Sequence, residues 1–75
     1  MLFIYYLSDG EIYRVSIPEK NLTDFFGKRA EEMSKVFGAL YIENYNDFIF
    51  NNYYNFTVVD GKLKLKENFK NLFME

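Results

Sequence analysis

The chain contains no cysteine and no histidine. Without cysteine there can be no disulfide and no thiolate nucleophile. Without histidine the commonest general base is missing, and the two absences together remove the sulfur and nitrogen ligands that zinc prefers. Tryptophan is also absent, and proline occurs once. No stretch approaches the ~20 apolar residues that cross a bilayer as a helix. The apolar start, Met1-Leu2-Phe3-Ile4-Tyr5-Tyr6-Leu7, lacks a basic leader and a small-residue cleavage site, so it reads as a strand and not as a signal peptide. The expected location is cytoplasmic, with no membrane partner. The sequons Asn21-Leu22-Thr23 and Asn55-Phe56-Thr57 then carry no glycan.

Phenylalanine and tyrosine are abundant, nine and seven in 75 residues. A chain of this length makes one domain (residues 1–75) and buries only about 60% of the surface its unfolded form exposes. With no disulfide or metal to staple it, the core rests on apolar area, and each aromatic ring supplies ~150–250 Å² of it. A homodimer would add more.

Asp9-Gly10 and Asp60-Gly61 both stand between apolar runs. Asp-Gly favours the two-residue type I′ hairpin loop, whose central residues both need positive φ. The first loop predicts Tyr6 opposite Tyr13, Ile4 opposite Val15 and Leu2 opposite Ile17. Leu2, Ile4, Tyr6, Tyr13, Val15 and Ile17 then share the core face, and Phe3, Tyr5, Leu7 and Ile12 share the other with Arg14 and Ser16. The second loop pairs Val59 with Lys62, Val58 with Leu63, Thr57 with Lys64 and Phe56 with Leu65. That ribbon turns Tyr54, Phe56, Val58, Leu63 and Leu65 inward and Asn55, Thr57, Lys62, Lys64 and Lys66 to water.

Between the hairpins, Leu22, Phe25, Phe26, Ala30, Met33, Val36 and Phe37 recur at helical spacing. Asn21 is placed to cap this helix with Asp24 in the capping-box position, Glu31 and Lys35 to pair along it, and Gly38 to stop it. Gly27, inside the stripe, suggests close approach to the sheet. Ala39–Glu43 reads as a strand. Residues 44–52 read two ways: a turn at Asn44-Tyr45-Asn46-Asp47 with a return strand at Phe48-Ile49-Phe50, or a helix carrying Tyr45, Phe48 and Ile49 on one face. The repeated asparagines favour the strands. A short amphipathic helix is expected over Glu67–Met74. The fold class is α+β, an antiparallel sheet built from hairpins with one main helix on one face. Its order is β-β-α-β-β-β-β-α, the middle pair alternatively a helix.

Catalytic constellations are missing. Ser8, Ser16 and Ser34 have no activating partner by spacing, no glycine-rich phosphate loop occurs, and Glu43 with Asp47 reads as a turn in preference to an acid/base or Mg²⁺ pair. Neither enzymatic activity nor a cofactor is expected. Net charge is −2, which argues against general nucleic-acid binding. Its distribution is uneven. No Lys or Arg occurs from Val36 to Gly61, where Glu43, Asp47 and Asp60 are acidic, whereas Lys62, Lys64 and Lys66 alternate along the last strand. Such a row could face phosphates, although on an exposed strand it equally serves to block edge pairing.

The aromatic middle is the distinctive feature. Tyr41, Tyr45, Phe48, Phe50, Tyr53, Tyr54 and Phe56 lie among Asn44, Asn46, Asn51, Asn52 and Asn55. Part of this set must be core, and the remainder has the chemistry of an adaptable interface. The expected contacts are Tyr41, Glu43, Tyr45, Asp47, Tyr53 and Asp60, facing a protein with a basic surface. Two alternatives compete with this. Phe3 and Tyr5 could form a self-association face, or Lys62, Lys64 and Lys66 could contact nucleic acid.

The richness in Asn, Lys, Phe and Tyr, and the ending Lys66-Glu67-Asn68-Phe69-Lys70-Asn71-Leu72-Phe73, give the chain a texture. It resembles small proteins encoded by A+T-rich phages, archaeal viruses or mobile elements. That resemblance implies either a virion component or a stoichiometric inhibitor of a host nucleic-acid-handling complex, of the anti-CRISPR or anti-restriction type, acting by covering a basic surface. The lysine row departs from a simple nucleic-acid mimic.

Overall fold

The computed structural model describes residues 1–66. The expected helix over Glu67–Met74 therefore lies outside the described residues. Strand β1 (Leu2–Tyr6) is the middle of a three-stranded antiparallel sheet, with β2 (Ile12–Ser16) on one side and β3 (Phe37–Tyr41) on the other. Its run of apolar residues on both pleats suits a strand that is paired on both edges and buried on both faces. Leu2, Phe3 and Ile4 are each 0% exposed, which makes β1 the axis of the core. Beyond the ladder, the Met1 ammonium donates to the Ile42 carbonyl at 2.7 Å, and the Ile42 N–H returns a bond to Met1 at 2.9 Å.

The β1–β2 register differs from the one expected. Leu2 faces Ser16, Phe3 faces Val15 and Ile4 faces Arg14; a bulge then brings Tyr5 opposite Ile12. The one-residue slip moves Val15 to the Phe3 face and Arg14 and Ser16 to the Leu2–Ile4 face. The bulge takes up Tyr13, whose ring meets Tyr6 edge-on at 5.7 Å and lies 4.7 Å from Phe37. The connecting loop is longer than two residues: the Tyr6 N–H reaches the Glu11 carbonyl (2.9 Å), and the Gly10 N–H reaches Tyr6 (2.8 Å).

The main helical segment runs from Leu22 to Met33 in three pieces, α1 (Leu22–Phe26), a 3-10 turn (Gly27–Arg29) and α2 (Ala30–Met33). Asn21 caps it, accepting the Asp24 N–H at 2.8 Å, while the Asp24 carboxylate reaches back to the Lys20 N–H at 3.1 Å. Gly27 interrupts the helix at φ 62°, a conformation that glycine adopts readily. Among the described residues no atom lies within 4 Å of where its side chain would start, so close approach to the sheet is not its reason. The helix ends before Val36 and Phe37, and Gly38 is a strand residue and not a helix stop. A Cβ on Gly38 would enter the ring of Tyr5, which lies across β3. Because the helix stops at Met33, Glu31 and Lys35 are not held one turn apart. The ion pair on this segment is Arg29 with Glu32, at 3.4 Å and exposed. Phe26 stacks on Phe37 at 5.6 Å and Phe37 leans on Tyr6 at 5.0 Å, which ties the helical layer to the Leu2–Ile4 face.

Residues 44–52 adopt the helical one of their two readings, so Phe48-Ile49-Phe50 is not a return strand. Helix α3 covers Asp47–Asn51, with Asn46 as its cap accepting the Ile49 N–H at 3.0 Å. A 3-10 turn (Tyr53–Asn55) leads into the second hairpin, β4 (Phe56–Val59) and β5 (Lys62–Leu65), whose four pairs match the expected register. Asp60 and Gly61 both hold positive φ, 53° and 73°. The two sheets meet at one joint. The Gly10 carbonyl accepts the Val58 N–H (2.8 Å) and the Thr57 hydroxyl (3.0 Å), and Lys66 pairs with Glu11 at 2.7 Å. None of the described helices is long and apolar enough to cross a membrane.

A tyrosine-lined cleft as the candidate site

Where β3 ends, the chain turns outward through Glu43 and Asn44 before Asn46 caps α3. This exit lies beside the end of β2, because β1 is only one strand wide between them. The two ends enclose a cleft of about 320 Å³, lined by Met1, Ile17, Pro18, Tyr41, Tyr45 and the charged Glu19, Lys20 and Glu43. Its floor and walls are apolar and aromatic. Ile17 is 50% exposed, Tyr41 40% and Tyr45 54%, so the rings stand open to a partner.

The charges are unequal. Two carboxylates, Glu19 and Glu43, line the cleft against one ammonium, Lys20, and Asp47 is close enough to Tyr45 to affect its titration. The Ser16 hydroxyl donates to Glu19 and orients that carboxylate. The Tyr45 hydroxyl donates to Asp47, and this bond is the main reason its proton is held more tightly than in an ordinary tyrosine. Loss of surrounding water and the nearby carboxylate charge add to the effect.

Three expected contact residues, Tyr41, Glu43 and Tyr45, come together here, with Asp47 behind them. Tyr53 does not join them; it is half-buried, edge-on to Tyr54 at 5.8 Å. Asp60 sits in the β4–β5 turn and is not among the cleft's lining residues. The aromatic run divides as its size requires. Phe56 is buried, Phe50 and Tyr53 are half-buried, and Tyr41, Tyr45, Phe48 and Tyr54 are exposed.

The other candidate surfaces differ in burial and pairing. Phe3 is fully buried and Tyr5 half-buried beside Gly38, so neither offers a face to a second chain. Lys66 is engaged by Glu11, which leaves Lys62 and Lys64 as the exposed members of the lysine row. Among the described residues, no three of the acidic side chains gather into a metal-binding group.

Sequence reasoning did not find the β2 side of the cleft, Ile17, Pro18 and Glu19. The signal available was the chain's single proline beside an apolar residue at the end of a strand. No family model, curated protein or solved structure matches this chain.

Proposed function

We propose that this protein is a non-enzymatic binding module that docks a basic surface of another protein in the Tyr41–Tyr45 cleft. The observation that carries this reading is one cleft lined by two exposed tyrosines together with the carboxylates of Glu19 and Glu43. A lysine or arginine side chain entering between the rings gains cation–π attraction from their faces and charge complementarity from Glu43 and Glu19. Its aliphatic stem lies against Ile17 and Pro18. An interaction of this kind is worth about 0.5–2 kcal/mol per ring, so a useful affinity needs further contacts along the same face. Inhibition of a nucleic-acid-handling complex by covering its basic surface is one biological use of such a module, and it rests on this same cleft.

The test is an amide chemical-shift titration of the full chain with short capped peptides containing one Lys or one Arg, beside the same peptides carrying Gln. Shifts confined to Ile17, Lys20, Tyr41, Glu43 and Tyr45, seen with the cationic peptides and lost in Tyr45→Ala and Glu43→Lys, are the expected result. Equal shifts with the Gln peptides, or shifts centred on Lys62 and Lys64, overturn it. In Asp47→Asn the Tyr45 phenol is expected to titrate lower, back toward the ordinary tyrosine range, read by ultraviolet absorbance. The raised value contributes stability that is present below the ordinary tyrosine pKa and lost as pH rises through the raised one.

A further inference from the structure

The β3 strand has a free edge whose polar groups can be assigned one by one. Met1 and Ile42 exchange both backbone bonds, and at the far end the Leu7 N–H donates to Val36 at 2.9 Å. In an antiparallel ladder such bonded pairs alternate with unbonded ones. Leu40 and Gly38, opposite Phe3 and Tyr5, therefore turn their N–H and C=O groups toward β1. Phe37, Ala39 and Tyr41 turn theirs away from it. Among the described residues no other element takes up those outward groups.

The remaining strand edges are each blocked. Gly10 and Glu11 occupy the outer side of β4, β5 carries Lys62 and Lys64, and β2 carries Arg14 and runs into Pro18. Lysine, proline and covering loops are the usual means by which proteins prevent edge pairing. β3, Phe-Gly-Ala-Leu-Tyr, carries no lysine, no proline and no charge at all, and no described segment covers its outer edge.

We propose that the β3 edge pairs with the β3 edge of a second copy of this chain, antiparallel about a two-fold axis through Ala39. The strand is self-complementary in that register. Ala39 faces Ala39 of the second copy, and Phe37 faces Tyr41 in both directions. Two backbone bonds form in each of the three facing pairs. The centre carries the smallest side chain, exposed beside an open groove whose lining includes Leu22, Ala30, Glu31 and Ser34. The flanking pairs are aromatic on aromatic, a favoured cross-strand combination. With no charge on the strand, a second copy meets no like-charge repulsion, whereas two β5 strands would set lysine against lysine. The result is a continuous six-stranded sheet, β2-β1-β3 joined to its copy. Both Tyr41–Tyr45 clefts then open on one side, which would let a repetitive basic surface engage both at once. This pairing stands independently of what the clefts bind.

Sedimentation velocity over about 10 μM to about 1 mM, the span in which weak protein contacts appear, reads the association directly. The expected result is a shift from 9.1 kDa toward twice that mass. Ala39→Pro removes an N–H that no bond among the described residues uses, at an edge position that tolerates proline. It is expected to raise the dissociation constant about tenfold or more, with circular dichroism unchanged. Ala39→Val, which keeps the donor and suits a strand, is expected to retain the dimer. If Ala39→Pro does not fold, amide exchange of the native protein decides, because the Ala39 and Tyr41 N–H groups must become protected as concentration rises. A concentration-independent monomer overturns the proposal. So does a dimer indifferent to Ala39→Pro. Protection of those amides at monomer mass also overturns it, since the edge would then be held by the chain's own residues 67–75.

Discussion

At Asp60-Gly61 both residues hold positive φ, the loop is two residues long, and β4 and β5 leave it in simple register. At Asp9-Gly10 only the glycine does, at 77°, and the loop spans Leu7 to Gly10 before the strands resume in a slipped and bulged register. The dipeptide is the same, so its intrinsic turn preference cannot be the cause. What differs is the surroundings. Gly61 is exposed, and nothing among the described residues lies within 4 Å of where a side chain would begin. Gly10 is buried, and its carbonyl accepts both the Val58 N–H and the Thr57 hydroxyl. The type I′ preference decides the geometry where no tertiary bond competes. Where the loop must also receive the second sheet, two bonds to Gly10 and an Asx bond from the Glu11 N–H to Asp9 (2.9 Å) prevail over a local preference worth less than they are.

Gly10→Ala is the substitution with the largest expected effect. A Cβ there would run into the Val58 carbonyl oxygen and stand 3.1 Å from the Thr57 hydroxyl, in a backbone conformation that already penalises alanine. A loss of about 3 kcal/mol is expected, which for a domain of this size lowers Tm by more than ~10 °C. Gly61→Ala meets no neighbour and should cost only the φ penalty, about 1 kcal/mol. Thermal unfolding of the two variants side by side reads the contrast, and equal losses would dissolve the distinction between a docked loop and a free one. If Gly10→Ala fails to fold, Thr57→Val asks the same question more gently. It removes one of the two donors to Gly10, for about 1 kcal/mol.

The Lys66–Glu11 bridge tests the joint from its rim. Its side chains are 34% and 45% exposed, so water and salt screen it heavily. Glu11→Gln should cost about 0.5 kcal/mol at low ionic strength and close to nothing at high salt. An undiminished loss at about 1 M salt would show that the loss does not arise from the charge of the bridge.

The same contrast explains what could be read from residue order. The β4–β5 register was legible because one turn type and a period of two determine it. The burial of β1 on both faces was legible because Leu2, Phe3 and Ile4 are apolar whichever way they point. Phe37 misled because an apolar residue at that spacing fits the end of a helical stripe as well as the start of a strand; the Tyr5 ring over Gly38 settles which, and that contact is tertiary. Asn46 suits a turn as well as a helix cap, and a helix as short as Asp47–Asn51 is too brief for the spacing of Tyr45, Phe48 and Ile49 to outweigh the repeated asparagines. Half of the cleft was visible because Tyr41, Glu43 and Tyr45 are close along the chain. Ile17 and Pro18 join them only through the sheet order.

The smallest expected effect separates the two loops most cleanly. Asparagine enters the left-handed region more readily than aspartate's other replacements, and Asn-Gly is a favoured type I′ pair. Asp60→Asn should therefore leave stability unchanged or raise it by about 0.3 kcal/mol, near 2 °C in Tm. Asp9 does not hold positive φ, and asparagine there would keep an oxygen for the Glu11 N–H, so Asp9→Asn has no left-handed gain to collect. The measurement is the difference between the two shifts in replicate melts. A gain at position 9 that matched the gain at 60 would show the first loop visiting the two-residue turn in solution, and the hold of the second sheet on Gly10 would then be weaker than two hydrogen bonds imply.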